Sequence, residues 1–145
     1  MATADALQAI AFTITDPSIA HTSIPGTALM ALTANDEYIA PELTAPVWQK
    51  LDPVLTTILK GEVYGSLSTR TTIIQSVALR GSKEHLPLIR QFARDEKADP
   101  SMRLSSIAAL GIYRSGDDRQ YLQQIATGST RYRYAAQSAL KKLSN

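Results

Sequence analysis

Cysteine is absent from the 145 residues, and with it go disulfides, cysteine-zinc sites and thiol nucleophiles. That leaves the compartment open, because oxidising and reducing environments both tolerate cysteine-free proteins. There are two histidines, His21 and His85. They are isolated from each other in sequence, and a metal site would need further donors from elsewhere in the fold, so both are read as surface or helix-start residues and no metal site is expected. No apolar run approaches the roughly 20 residues that a membrane-spanning helix needs. The first twelve residues carry Asp5 and no lysine or arginine, which is unlike a secretory leader. The chain is therefore expected to be soluble, with its compartment unknown and cytoplasmic only as the default. Gly-rich phosphate loops and Gly-x-Ser-x-Gly are missing too. Ser138-Ala139-Leu140-Lys141 spells Ser-x-x-Lys without its companion motifs, and a short pattern with two free positions recurs by chance. No catalytic residue and no cofactor is expected, and the chain is read as a non-enzyme.

Basic residues are scarce in the first half. Residues 1–63 contain two basic and seven acidic residues, a net −5, whereas residues 64–145 contain thirteen basic and six acidic ones, a net +7. Such asymmetry indicates either a charged partner or neutralisation of one half by the other.

What the chain has is repetition. Ser66, Asp99 and Ser129 each stand four residues before an arginine (Arg70, Arg103, Arg133) and eleven before an aliphatic residue (Val77, Leu110, Leu140), with 33 and 30 residues between copies. A period of that length is one supersecondary unit, usually a helical hairpin, which buries its apolar face by stacking on its neighbours. The first copy reads as a helix capped by Ser66 with Ile73, Ile74 and Val77 inward and Gly81 as its stop. Its partner turns Leu86, Ile89, Phe92 and Ala93 inward. The second opens at Asp99-Pro100, lines one face with Leu104, Ile107, Ala108 and Gly111, and turns at Gly116-Asp117-Asp118 into a helix faced by Tyr121, Leu122, Ile125 and Ala126. The small residues Ala108, Ala109 and Gly111 allow another helix to approach closely. The third copy is a single terminal helix capped by Ser129, with Tyr132, Ala135, Ala136, Ala139, Leu140 and Leu143 on its stripe and Lys141 and Lys142 in its last turn.

Residues 1–63 are atypical. Thr3 is expected to cap a helix with Leu7, Ile10, Ala11 and Ile14 on one face, ended by Asp16-Pro17. Residues 18–26 read as a loop, and Thr27 as the cap of a short apolar segment that buries Leu29, Met30 and Leu32. Asp36 and Glu37 could open a helix that Pro41 would interrupt. Thr44 and Asp52 read as caps of two short helices or one kinked helix from Ala45 to Lys60, stopped by Gly61. Trp48, the single tryptophan, is expected in the core. No stretch shows sustained two-residue alternation, so strands are not expected.

The stretches ADPSMRLSSIAALG, RSGDDRQYLQQIA, STRYRYAAQSAL and SKEHLPLIRQFA resemble the short HEAT-like repeats first described in phycobilisome lyases. Asp99, Arg103, Ala108, Ala109, Leu110 and Gly111 carry the resemblance best, and it covers about the second half of the chain. It implies an all-α fold, a short α-solenoid of helical hairpins forming one domain with an irregular N-terminal cap, and a role in protein binding, with a concave surface on the second-helix side. It does not imply lyase activity.

In this repeat type Arg70, Arg103 and Arg133 are read as structural, each bonding a carbonyl or carboxylate of the adjacent unit. Cations and aromatic rings also interleave in Arg131-Tyr132-Arg133-Tyr134, with Tyr113, Arg114, Arg119 and Tyr121 in the preceding unit. Tyr132 falls on the apolar stripe. The exposed candidates for partner binding are therefore Arg114, Arg119, Arg131 and Tyr134. The leading expectation is an interaction or scaffold module with a protein partner, and self-association would cover an apolar end of the array. The alternative is a nucleic-acid or polyanion binder using the basic half.

Overall fold

The computed structural model describes residues 3–145, and among them every regular element is helical. Eight α-helices run through the described residues: α1 Ala4–Thr15, α2 Ile24–Asn35, α3 Pro41–Leu59, α4 Leu67–Leu79, α5 Leu86–Arg94, α6 Pro100–Tyr113, α7 Arg119–Ala126 and α8 Arg133–Ser144. Short 3-10 turns lie at Pro17–Ile19, Asp36–Tyr38 and Gly116–Asp118. The chain gathers into two compact units, one ending at Ser76 and the other running from Val77 to Asn145, so that the division falls within α4.

In the first unit Thr3 caps α1 by accepting the Ala6 N–H at 3.1 Å, and Leu7 and Ile14 are buried while Ile10 and Ala11 are half-buried. Helix α1 packs on α2 and α3. Helix α2 begins at Ile24, inside the stretch read from sequence as a loop, and Thr27 lies within it rather than capping it. Pro25 is tolerated because it sits in the first turn, where no intrahelical N–H is lost. Gly26 is held by packing: a Cβ there would stand 3.3 Å from the Thr69 Cα. Such a contact leaves no trace in local periodicity. Leu29 and Leu32 are buried and Met30 is half-buried.

Helix α3 is one helix from Pro41 onward, not two, and Pro41 opens it instead of interrupting it. Thr44 and Asp52 therefore do not cap. Pro46 and Pro53 lie inside the helix and deprive the carbonyls of Glu42 and Gln49 of their partners. All four residues are exposed, so water can satisfy those carbonyls, while the opposite face buries Val47, Trp48, Leu51, Leu55, Ile58 and Leu59. That burial, about 1.5–3 kcal/mol for a large apolar side chain, outweighs the proline cost of about 3 kcal/mol each. Trp48 is in the core, and its Nε1–H donates to Asp36 Oδ1 at 2.7 Å.

Helices α3 and α4 end alike. Gly61 and Gly81 have φ of +77° and +64°, and in each case two backbone bonds close the last turn: Gly61 N–H to Ile58 and Glu62 N–H to Thr57, then Gly81 N–H to Ala78 and Ser82 N–H to Val77. These are Schellman ends, for which a residue without Cβ is favoured. At the other end of α4, Ser66 Oγ accepts the Thr69 N–H at 3.1 Å as its cap.

In the second unit α5 packs on α6, α6 on α8, and α7 on α8. Asp99 caps α6 by accepting the Ser101 N–H at 2.8 Å. The buried side of α6 is Met102, Ser106, Ile107, Ala109, Leu110 and Gly111, a face rotated from the expected one. Leu104 is exposed and Ala108 half-buried. Gly111 is the point of closest approach, since a Cβ there would lie 2.5 Å from the Ala139 Cα of α8. Helix α8 starts at Arg133 and not after Ser129, because residues 129–132 form a turn in which Arg133 N–H bonds the Thr130 carbonyl. Of the expected stripe, Tyr132, Ala136 and Ala139 are nonetheless buried, while Ala135, Leu140 and Leu143 are half-buried.

Candidate functional site

The repeat arginines come first, because they decide which cations remain for a partner. Arg70 Nη2 donates to the Leu59 carbonyl at 2.9 Å, and Arg103 Nε donates to the Ala93 carbonyl at 3.0 Å. Both acceptors lie in the last turn of the preceding helix, where carbonyls lack intrahelical donors. Arg133 does not follow them: its Nη2 donates to the neighbouring Tyr134 hydroxyl at 2.8 Å. In the third copy the same bond is made one turn further along by Gln137, whose Nε2 donates to the Ala126 carbonyl at 3.2 Å. Sequence reasoning missed Gln137 because it aligned the copies on Ser129, which is not a cap.

A second arrangement was also not foreseen. Asp118 is 1% exposed, at the N-terminal end of α7. Arg90 Nε reaches its two oxygens at 2.9 and 3.2 Å, Arg94 Nη2 reaches Oδ1 at 3.1 Å, and Arg90 Nη2 also donates to Ser115 Oγ at 2.9 Å. Burial by itself pushes this carboxyl up. The hydrogen bonds from Ser115, Arg90 and Arg94 and the Arg90 charge outweigh burial, so the carboxyl is held below its ordinary range. The available signal was the placement of Arg90 and Arg94 four residues apart on one face of α5. Asp118 thus fastens the turn before α7 onto α5 and is unavailable to a ligand.

Other rings and cations are also used internally. Tyr113 donates to the Ser82 carbonyl at 2.8 Å and Tyr121 donates to the Ala93 carbonyl. Arg94 lies 4.5 Å from the centre of the Tyr121 ring and Arg103 4.5 Å from that of buried Tyr132. His85 is buried with Nδ1 2.7 Å from Ser82 Oγ, before the first turn of α5.

All four sequence candidates, Arg114, Arg119, Arg131 and Tyr134, are exposed, and the fold separates them into two pairs. Arg119 Nη2 donates to the Leu143 carbonyl at 3.3 Å, which sets the start of α7 beside the end of α8. The stack of Arg103 on Tyr132 and the contact of Gly111 with Ala139 make α6 and α8 parallel neighbours. Arg114, at the end of α6, and Arg119 therefore lie at one end of the unit. Arg131 and Tyr134 lie at the other, about 18 Å away along α8 at 1.5 Å per residue. Arg133 sits 4.8 Å from the Tyr134 ring centre and covers one of its faces.

Arg114 stands apart from the rest. At φ +55° it is the one described non-glycine residue in the left-handed region, in a cap position at which α3 and α4 are followed by glycines. An L-residue there costs roughly 1–2 kcal/mol.

Among the described residues no group of three or more His, Asp or Glu side chains could hold a metal ion, and no helix is long and apolar enough to cross a membrane. Successive helices in which each repeat's first helix bonds the last turn of its predecessor define a helical-repeat protein. The chain belongs to the HEAT repeats, whose pattern matches residues 53–141. Proteins of this kind are generally interaction scaffolds and typically non-catalytic. No curated protein and no solved structure matches the chain.

Proposed function

We propose that the protein is a non-enzymatic module that binds a protein partner through the exposed cations of its second unit, with Arg114 as the leading contact. Arg114 carries the reading: an exposed arginine retained in a conformation that glycine would adopt without strain is a position where stability has been given up for a side chain. A partner with acidic groups spaced to meet both Arg114 with Arg119 and Arg131 with Tyr134 fits the separation of the two pairs. We also infer that the repeats are of the short type first described in phycobilisome lyases, which the capped, proline-opened α6 and the Gly-Asp turn after it support.

The alternative, a nucleic-acid or polyanion binder, draws on the net +7 of residues 64–145 and on the pairing of Arg131 with Tyr134. Against it, Arg133 already covers one face of the Tyr134 ring on which a base would stack. The deciding experiment is affinity capture with the wild type, Arg114→Ala/Arg119→Ala and Arg131→Ala/Tyr134→Ala, beside heparin retention and nucleic-acid anisotropy at two salt concentrations. A partner protein recovered by the wild type and lost with either folded double variant is expected. Steeply salt-dependent nucleic-acid binding with no variant-sensitive protein would reverse the order of the two readings.

A further inference from the structure

The first unit contains a cavity of about 180 Å³ that opens to the surface. Its wall is predominantly apolar, with Ile14, Pro17, Pro25, Val54, Ile58 and Tyr64 among the residues that line it. Residues 1–52 lie outside the HEAT-repeat match, so this opening is made where the irregular N-terminal helices meet the first repeat. It is pre-formed. Ser66 N–H bonds the Ala20 carbonyl at 3.3 Å and Ser66 Oγ donates to the Thr22 carbonyl at 3.2 Å, which ties the loop after α3 to the turn before α2. Gly65 lets that loop lie flat on α3, since a Cβ there would meet Ile58 Cγ2 at 2.5 Å. Val63 and Tyr64 at the rim are 49% and 66% exposed. Apolar groups held out in water around a fixed opening are what a binding pocket for an apolar group requires.

The charged side chain of the wall itself is an acid, and Arg70, which adjoins Thr69 of the wall, turns its Nη2 to the Leu59 carbonyl at 2.9 Å. Asp16 is the sole ionisable acid or base of the wall besides the Tyr64 phenol, and exposed Glu62 adjoins Val63. Both hydrogen bonds that Asp16 receives from Ser18 fall on Oδ1, at 2.9 and 2.7 Å, which leaves Oδ2 for a cation. No lysine or arginine lines the cavity, and residues 1–63 carry a net −5.

We infer that this cavity receives one leucine-sized side chain of a partner polypeptide, flanked by a basic residue that Asp16 and Glu62 engage. The inference rests on the protein-binding reading above and adds to it a second contact of opposite charge preference.

The test uses the full-length chain, isotope-labelled, observed by NMR and titrated with Ac-Leu-Arg-NH2, Ac-Leu-Glu-NH2, Ac-Ala-Arg-NH2 and N-isobutylacetamide. Ac-Leu-Arg-NH2 is expected to shift Gly65, Thr69 and the Ile58 and Val54 methyls. Ac-Ala-Arg-NH2 should leave them unmoved and Ac-Leu-Glu-NH2 should bind more weakly. Asp16→Asn should weaken Ac-Leu-Arg-NH2 about two- to fivefold and remove its advantage over Ac-Leu-Glu-NH2. Tyr64→Ala, at an exposed site where folding is safe, should weaken both leucine peptides. Equal shifts with Ac-Ala-Arg-NH2, or no shift at these residues, overturn the inference. Equal affinity for N-isobutylacetamide assigns the cavity to a neutral ligand and overturns the basic neighbour. Concentration-dependent shifts at Tyr64 without peptide put a second copy there and overturn the separate partner. Silent peptides alongside intact, variant-sensitive capture defeat the cavity alone, and bound peptide without any captured partner defeats only the wider reading.

Discussion

Asp118 shows how a residue can be buried and still charged. Its carboxylate loses hydration but gains a bifurcated bond from Arg90 Nε and another from Arg94 Nη2, and both arginines reach solvent at their other edges, so only one side of the pair is fully desolvated. Asp118→Asn is expected to cost about 2–3 kcal/mol, read by urea unfolding near neutral pH. Because the folded-state pKa is depressed, this stabilisation is complete above the unfolded value of about 3.9 and disappears as pH falls through the folded one. Wild-type stability should thus fall toward that of Asp118→Asn below about pH 4 and not above it. A constant difference across the acid range would mean that folding leaves the Asp118 pKa unchanged. The Arg103 bond and its stack on Tyr132 predict a loss of about 1–3 kcal/mol for Arg103→Ala. Gln137→Ala, which removes the uncharged equivalent, should cost about 1 kcal/mol, and an equal loss at Arg133→Ala would contradict the assignment of Gln137 to this role.

Between elements, the tightest constraint is the crossing of α6 and α8. Gly111 and Ala139 bring two backbones together where no side chain fits, so Gly111→Ala should destabilise by about 1–3 kcal/mol through overpacking, despite alanine's higher helix propensity. A stabilised Gly111→Ala in thermal unfolding would show that the two helices can part without loss. Helix α3 illustrates the opposite balance. Pro46 and Pro53 argue locally for two helices, yet the buried face from Val47 to Leu59 runs through both, and exposure of the proline side keeps the lost bonds wet.

For the molecule as a whole, stability and binding are expected to separate at Arg114. Arg114→Gly should relieve the left-handed strain and raise stability by up to about 1 kcal/mol, while weakening partner capture. If capture is unchanged, Arg114 is only an imperfect cap and the surface must be sought elsewhere. The two halves of opposite charge coincide closely with the two compact units. The basic unit spends much of its charge internally, on Asp118, on helix-end carbonyls and on tyrosine rings, so net charge alone overstates what it offers a polyanion.

The all-α class, the hairpin repeat and most buried positions were written in the sequence itself, because caps at Thr3, Ser66 and Asp99, glycine ends at Gly61 and Gly81, and a 3.6-residue apolar period are local signals. The start of α2 and the delayed start of α8 were not, since each depends on which of several competing local turn bonds forms, and the choice between one helix and two in α3, open in the sequence, is decided by the continuous face it buries. The exposure of Arg114, Arg119, Arg131 and Tyr134 followed from helical phase. Their separation into two pairs, the capture of Asp118 by Arg90 and Arg94, and the cavity beside Asp16 were decided by tertiary structure alone, because relative placement depends on how helices pack and not on any spacing along one of them.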